Sequence, residues 1–338
     1  VSVALKTENL LEPHPEGIYC PAGDFWIDPM RPKPRALITH GHADHARAGH
    51  GAVLASRETL EIMAIRYGED FTQSRQVAEG EIRIGEVSVS FHPAGHIFGS
   101  CQIRIRPDKG PVIVASGDYS RRANPVCAPF EPLDCDIFIT EATFGLPVFR
   151  HPDPLGEAAK LLKSMADFPD RPHIIGGYAL GKTQRLIALL RQAGYEAPIG
   201  LHGALMRLSR YHQEKGIPLG DLVAAADAPQ LIIAPPSALG SPWAQRFPDP
   251  VLGYASGWMG VRSRAKARRV ELPLVISDHV DWPEVTATLT EIAPEEVWIT
   301  HGAEDGLLRW CALQGMTARP LHLEGYEDSD SEPAEPEA

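Results

Sequence analysis

Ile38-Thr39-His40-Gly41-His42-Ala43-Asp44-His45 is the stretch on which the reading of this chain turns. An apolar segment, Ala36–Thr39, runs into three imidazoles and a carboxylate within six residues. On an extended backbone residues two apart face the same side, so His40 and His42 are placed to grip one ion together. Asp44 and His45 follow where the chain turns and are candidates for a second ion. Neutral imidazole and carboxylate suit Zn²⁺, Mn²⁺ or Fe rather than Ca²⁺ or a thiolate-seeking metal. A lone histidine is ordinarily a hydrogen-bonded polar residue, but that account does not cover four such side chains at one strand end.

Further out, other predicted strands end in the same residue types. Pro93-Ala94-Gly95-His96 follows the strand Glu86–His92, where Gly95 lets the backbone come close to a site. Ser116-Gly117-Asp118 follows Pro111–Ala115, and Thr300-His301-Gly302 follows Val297–Thr300. Pooled, these supply three histidines and an aspartate (His40, His42, His96, Asp118) for one ion. Two aspartates and two histidines (Asp44, His45, Asp118, His301) remain for the other, with Asp118 shared. Two ions about 3.5–4 Å apart deprotonate a bridging water and stabilise in-line attack at phosphorus. Asp44 and Asp118 are therefore expected to be catalytic as well as ligating. Asp28, in Trp26-Ile27-Asp28-Pro29, is either an outer carboxylate that orients a ligand or a plain turn residue.

The N-terminal third reads as short strands: Ala36–Thr39, Glu86–His92, Cys101–Arg106 and Pro111–Ser116, with a helix over Glu58–Tyr67. Pro107-Asp108-Lys109-Gly110 is a hairpin turn between the last two, and Asp136–Thr140 is a further buried strand. From His151 the rhythm changes. Helices over Leu155–Ala166, Lys182–Ala193 and Leu205–Lys215 alternate with strands at His173–Ile175, Pro198–Leu201, Gln230–Ala234 and Val251–Ala255. That alternation predicts a parallel sheet. A strand at Leu274–Ile276 and a helix over Pro283–Ile292 lead to the last ligand motif. Because ligand motifs lie on both sides, residues 151–268 read as an insertion between residues 1–150 and 269–323.

These motifs resemble the metallo-β-lactamase superfamily, and within it the β-CASP branch that processes nucleic acids. The similarity runs over roughly residues 24–305 and is especially marked to bacterial DNA-ligase-associated exonucleases. Its pieces are IDPMRPKPRALITHGHADHA, AGHIFGS, SGDYSRR, YALGKTQRL and YASGWM. The resemblance implies an α/β fold: an αββα sandwich with a β-CASP domain of parallel sheet inserted into it. It also implies roles. Glu141, in ITEATFG, orients His279, in SDHVD; His279 protonates the leaving oxygen or holds the phosphate; His301 is a metal ligand. A histidine is suited to proton donation near neutral pH. Ser277 then lies at the substrate. The implied activity is that of an exonuclease acting on DNA in repair, with DNA ligase and helicase as functional partners. His301 departs from this, being shared with RNA 3′-processing enzymes of the branch and typically absent from Artemis-like DNA nucleases. An RNA 3′-processing nuclease is thus the alternative.

Gly176-Gly177-Tyr178-Ala179-Leu180-Gly181-Lys182-Thr183 satisfies the P-loop pattern between a strand and a helix. No apolar strand ends in an acid left over for Mg²⁺, since Glu141 is claimed by the metal site. In the β-CASP branch a similar segment opens a helix of the inserted domain. Gly181, Lys182 and Thr183 are accordingly expected to hold a substrate phosphate at a helix N-terminus, or else to form a structural turn.

The net charge of −12 looks wrong for a nucleic-acid enzyme until its distribution is considered. From Glu324 onward the tail holds seven acids and no base, a composition expected to be disordered. Opposite in sign, Arg262, Arg264, Lys266, Arg268 and Arg269 place five cations in eight positions, and this run is either a solvated face or a phosphate-tracking patch. Five scattered cysteines without a CxxC pair suit a reducing cytoplasm. No apolar run is long enough for a membrane span, and the first residues do not read as a signal peptide. A small-molecule hydrolase of the glyoxalase or lactamase kind would share the HxHxDH motif but would need neither the inserted domain nor the basic run. A non-catalytic binding subunit would be expected to have lost ligands, and here every expected position is filled.

Overall fold

The computed structural model describes residues 10–228 and 230–324. They form two compact units. One holds the described residues up to Ala123, Cys127–Arg150 and His279 onward; the other holds Asn124–Val126 and His151–Asp278.

In the first unit β1 (Glu12–His14), β2 (Gly17–Cys20), β3 (Phe25–Ile27), β4 (Arg35–Leu37), β5 (His50–Ala55) and β6 (Thr72–Val77) form a sheet in chain order. It is antiparallel as far as β3 and parallel from there. Helix α1 (Arg57–Tyr67), capped by the Ser56 side chain, lies between β5 and β6. The second sheet begins with β7 (Glu81–Ile84), β8 (Val87–Pro93), β9 (Cys101–Pro107), β10 (Ile113–Ala115) and β11 (Ile137–Ala142). β9 and β10 pair antiparallel, as the predicted hairpin requires.

The chain then enters the second unit through α2 (Pro154–Asp167), β12 (His173–Gly176), α3 (Lys182–Gln192), β13 (Ile199–Leu201) and α4 (Gly203–Glu214). It continues through β14 (Leu222–Ala224), β15 (Leu231–Ala234), β16 (Val251–Ala255), α5 (Arg262–Ala267) and β17 (Leu272–Leu274). Its sheet is parallel throughout, in the order β14-β13-β15-β12-β16-β17. The strand expected at Leu274–Ile276 lies two residues earlier, and it belongs here because it pairs with β16. The expected return at residue 269 therefore falls too early; this unit runs to Asp278.

Back in the first unit, α6 (Trp282–Ile292), β18 (Glu296–Gly302), α7 (Glu304–Leu313) and β19 (Thr317–Pro320) finish the second sheet, in the order β19-β18-β11-β10-β9-β8-β7. Alternation then sorts its side chains. Ile113, Ala115, Ile137 and Ile139 face one way and join Phe25, Ile27, Leu37 and Leu54 of the first sheet in a shared core. Val114 and Phe138 face the other way, onto Val285 and Leu289 of α6 and Leu307 of α7. The outer face of the first sheet packs Ile38, Val53 and Ala55 on Leu60 and Met63 of α1. The layers of this unit are helix, sheet, sheet, helix, as the αββα expectation has it. The acidic tail beyond Glu324 lies outside the described residues. Among those described, no helix is long and apolar enough to cross a membrane.

Candidate metal centre

The ligand-type residues collect where β4, β8, β10, β11 and β18 end. After β4 the chain leaves the sheet and turns, with His45 N–H and Ala46 N–H both donating to His42 C=O (3.1 and 2.7 Å). This tight turn places Asp44 and His45 close behind His40 and His42. Two glycines let the neighbouring loops close in. Gly95 has φ +74°, and a Cβ there would sit 2.2 Å from Ser120 O. Gly117 has φ +57°, and a Cβ there would meet Thr39 at 2.8 Å.

Asp118 stands at the centre. Its Oδ2 lies 3.5 Å from His40 Nε2, 3.5 Å from His45 Nε2 and 3.8 Å from His96 Nε2, while its Oδ1 lies 3.5 Å from His301 Nε2. His96 Nε2 is 3.1 Å from His42 Nδ1, and His45 Nε2 is 3.8 Å from Asp44 Oδ2. His40, His42, His96 and Asp118 are all buried and offer ligand atoms within 4.8 Å of one another. Two donors on one ion, tetrahedral at about 2.1 Å, stand about 3.4 Å apart, close to the spacing around Asp118. His40 Nε2 and Asp118 Oδ1 are buried and make no hydrogen bond among the described residues. Buried polar atoms normally find partners, and a cation between them supplies one. The residues fit a dinuclear centre.

Electrostatics agree for both. Burial would raise the Asp118 carboxyl, but His45 and His279 outweigh it and hold its pKa well below the usual range. Burial first, then His45, holds His40 well below the usual imidazole value, which leaves it the neutral ligand a metal needs.

Outer contacts fix which ring nitrogen faces inward. Thr39 Oγ1 donates to Asp28 Oδ2 at 2.5 Å, so at 3.0 Å from His40 Nδ1 it accepts, and the lone pair of His40 is left on Nε2. Thr300 does the same for His301: its hydroxyl donates to Thr140 O (3.3 Å) and lies 2.9 Å from His301 Nδ1. Asp28 is buried, accepts from Thr39 N–H and stands 2.8 Å from His45 Nδ1, which favours the orienting role over the plain turn. Its φ of +41° is a sparsely populated backbone held in place by those bonds. The two threonines went unnoticed in the sequence, although the tetrapeptide Ile-Thr-His-Gly occurs twice, at 38–41 and 299–302.

Beside this cluster, His279 Nδ1 lies 3.0 and 2.9 Å from the two oxygens of Glu141 and 4.0 Å from Asp118 Oδ2. Tyr119 N–H also donates to Glu141, at 2.9 Å. The carboxylate thus keeps a proton on Nδ1 and leaves the ring's other nitrogen, Nε2, to face away from Glu141.

The remaining predicted residues lie in the second unit. Gly181 caps α3 with φ +86°, and Thr183 Oγ1 donates to Tyr178 O at 2.7 Å. Lys182 is buried and its Nζ is 2.8 Å from Asp278 Oδ2; Arg185 reaches Asp278 Oδ1 at 3.0 Å and the carbonyl of Ser277. The charge of Lys182 is therefore engaged by Asp278, and a phosphate would have to displace that pair. Arg262, Arg264 and Arg268 are exposed; Arg264 lies over the Trp258 ring (3.6 Å to its centroid) and Arg268 over Tyr254 (5.1 Å).

No protein-family model matches the chain. It is 27% identical over 312 residues to a protein described as a probable DNA ligase from Opitutus terrae, covering 89% of this chain and 30% of that protein. A ribonuclease of Thermus thermophilus is 27% identical over 202 residues, covering 52% of this chain and 46% of the ribonuclease. The chain thus spans less than half the length of these two curated relatives. A crystal structure of a protein of unknown function from Enterococcus faecalis shares the fold with a TM-score of 0.54 at 13% identity, over 84% of this chain and 78% of that one.

Proposed function

We propose that this chain, a homologue of several metallo-β-lactamase nucleases of the β-CASP branch and the bearer of a metal-dependent hydrolase site, is a two-metal nuclease. The observation that carries this is Asp118: one buried carboxylate within 4 Å of a ring nitrogen on His40, His45, His96, His279 and His301. Divalent ions bound there, Zn²⁺ or Mn²⁺, supply a water deprotonated near neutral pH and positive charge against the phosphate. His40, His42, His96 and Asp118 would hold one ion, and Asp44, His45, Asp118 and His301 the other. Glu141 holds the Nδ1 proton of His279, so that Nε2 gives its proton to the leaving oxygen or bonds the scissile phosphate. The exposed cations Arg262, Arg264 and Arg268 suit a polyanion. Lys182 suits it less, because Asp278 already takes its charge.

Two substrate readings each rest on an observation. RNA is supported by His301, which falls where RNA 3′-processing members of the branch carry a histidine, and by the ribonuclease relative. DNA, cut from an end during repair beside a ligase and a helicase, is supported by the ligase relative, whose similarity runs along 89% of this chain. The deciding experiment uses purified protein with Mn²⁺ or Zn²⁺ on end-labelled single- and double-stranded RNA and DNA. Cleavage of one polymer selects the reading, and a one-nucleotide ladder marks an exonuclease. Turnover of a thioester or β-lactam with no phosphodiester cleavage overturns the proposal.

A further inference from the structure

Two stitches join the loop that carries Asp118 to the segment that carries His279. The first is backbone: Tyr119, next to Asp118, gives its N–H to Glu141 and accepts at its carbonyl from Val280 N–H (2.8 Å). The second is Arg122, whose Nη2 donates to Asp281 Oδ2 at 2.6 Å and whose Nε donates to Glu284 Oε1 at 3.0 Å. Asp281 is buried and caps α6, accepting from Glu284 N–H at 3.1 Å while Glu284 Oε2 accepts from Asp281 N–H at 3.2 Å. One guanidinium therefore grips both members of a reciprocal cap, and His279 sits two residues before it. A planar fork makes two directed bonds at once, which a lysine cannot reproduce. The neighbouring Arg121 also reaches α6, but through exposed Glu291 and a longer bond to Thr288 (3.3 Å) rather than through the cap.

We propose that Arg122 is a positioning residue for His279, tying the start of α6 to the Asp118 loop so that the imidazole stays against Glu141 and beside Asp118. The proposal rests on the reading of His279 as proton donor given above. Misplacing a reacting group by about 1 Å costs up to about 100-fold in rate.

The test compares the wild-type chain with Arg122→Met, Arg122→Lys, Arg121→Met and the double variant Arg122→Met/Asp281→Asn. The double variant keeps a capping side chain and removes the charge of fully buried Asp281, while partly exposed Glu284 still accepts from the backbone N–H of residue 281, so it folds even where Arg122→Met does not. Each is assayed, metal-loaded, on an oligonucleotide and on bis-p-nitrophenyl phosphate, with metal content and peptide-level hydrogen exchange measured alongside. In Arg122→Met and the double variant, kcat on the oligonucleotide falls about 10- to 100-fold with KM little changed. The loss shrinks on the p-nitrophenyl ester, whose leaving group needs no proton. Metal content holds, and exchange over residues 279–284 quickens. Arg122→Lys recovers part of the rate, and Arg121→Met stays within about twofold of wild type. Wild-type kcat in the double variant, equal losses on both substrates, or unchanged exchange over 279–284 would each overturn the proposal. If the wild-type chain cleaves neither phosphodiester, the nuclease reading fails, and the exchange data still report whether Arg122 holds the segment.

Discussion

Replacing His279 with alanine separates the proposed role of proton donor from that of metal ligand. Glu141 is fully buried, and the His279 ring nitrogen stands about equally far from both its oxygens, at 3.0 and 2.9 Å. Losing that partner leaves the carboxylate with the Tyr119 N–H, and a hydrogen bond to a charged group contributes about 1.5–3 kcal/mol. His279→Ala should therefore lower stability by about 2 kcal/mol while leaving the fold intact. The catalytic loss is separate: removing a general acid costs about 10²–10⁴ in rate, or about 3–5 kcal/mol in the barrier. Stopped assays on an end-labelled oligonucleotide should show that loss. Bis-p-nitrophenyl phosphate, whose leaving group needs no proton, should lose far less. Elemental analysis should return the same metal content as wild type. The competing assignment is concrete, because Asp118, Glu141 and His279 themselves offer ligand atoms within 4.8 Å of one another. If His279→Ala loses an ion, His279 is a ligand and its role as proton donor is refuted.

Asp118→Ala should abolish cleavage and lower metal content, since Asp118 contacts histidines proposed for both ions; full metal occupancy in that variant would end the bridging assignment. His50→Asn should leave metal content unchanged, but it probes stability against pH. Burial pushes the His50 pKa down from 6.5 to about 4, so its contribution is complete above pH 6.5 and is lost as pH falls toward 4. By pH 5 that loss amounts to about 2 kcal/mol, read as a urea-unfolding difference between pH 7 and 5 that His50→Asn removes. Lys182→Met should weaken the second unit by about 1–3 kcal/mol, with Arg185 still on Asp278, and nucleotide titration of the wild type should show no saturable ATP binding. Reversing the charge of Arg262, Arg264 and Arg268 should raise KM on long substrates and spare a small phosphodiester. The salt dependence of binding should flatten by about 0.7 on single strands, or about 0.9 on duplex, for every phosphate that is no longer neutralised. Equal losses on long and small substrates would indicate damaged folding instead.

Strands that end in ligand-type residues were the most legible part of the sequence, because β-branched runs and the histidine or carboxylate motifs mark the same places. β10 and β11 came through for that reason, and the parallel sheet of the second unit did so through its alternating helices. β6 was invisible: Thr-Gln-Ser-Arg-Gln-Val has no apolar alternation and belongs to the sheet through its backbone pairing with β5. β17 was displaced because three residues around Pro273 leave little pattern to read, and its place is set by β16. At the site, side chains close in sequence were recognisable as a set. Those that meet across long separations were not: Arg122 reaches Asp281 and Glu284 about 160 residues away, and nothing local to SGDYSRR points there. Thr39 and Thr300 were missed for a different reason, since a threonine in a strand ordinarily needs no explanation beyond its β propensity.

The pairing of β11 with β18 has a consequence for how the protein is made. Ile137 and Glu296 are register partners, so the middle of the second sheet waits for about 160 residues to be synthesised. At about 5–20 residues per second the ribosome takes roughly 8–30 s to deliver the missing strand. Through that interval β11 presents an open edge of backbone donors and acceptors, the kind of edge that invites pairing with another chain. His40, His42, His96 and Asp118 all precede the gap, His279 falls near its end, and His301 lies on β18 itself. The nascent chain therefore holds one full set of candidate ligands long before it acquires His279 and the last histidine. His301, the last of the histidines around Asp118, arrives only with the strand that closes the sheet.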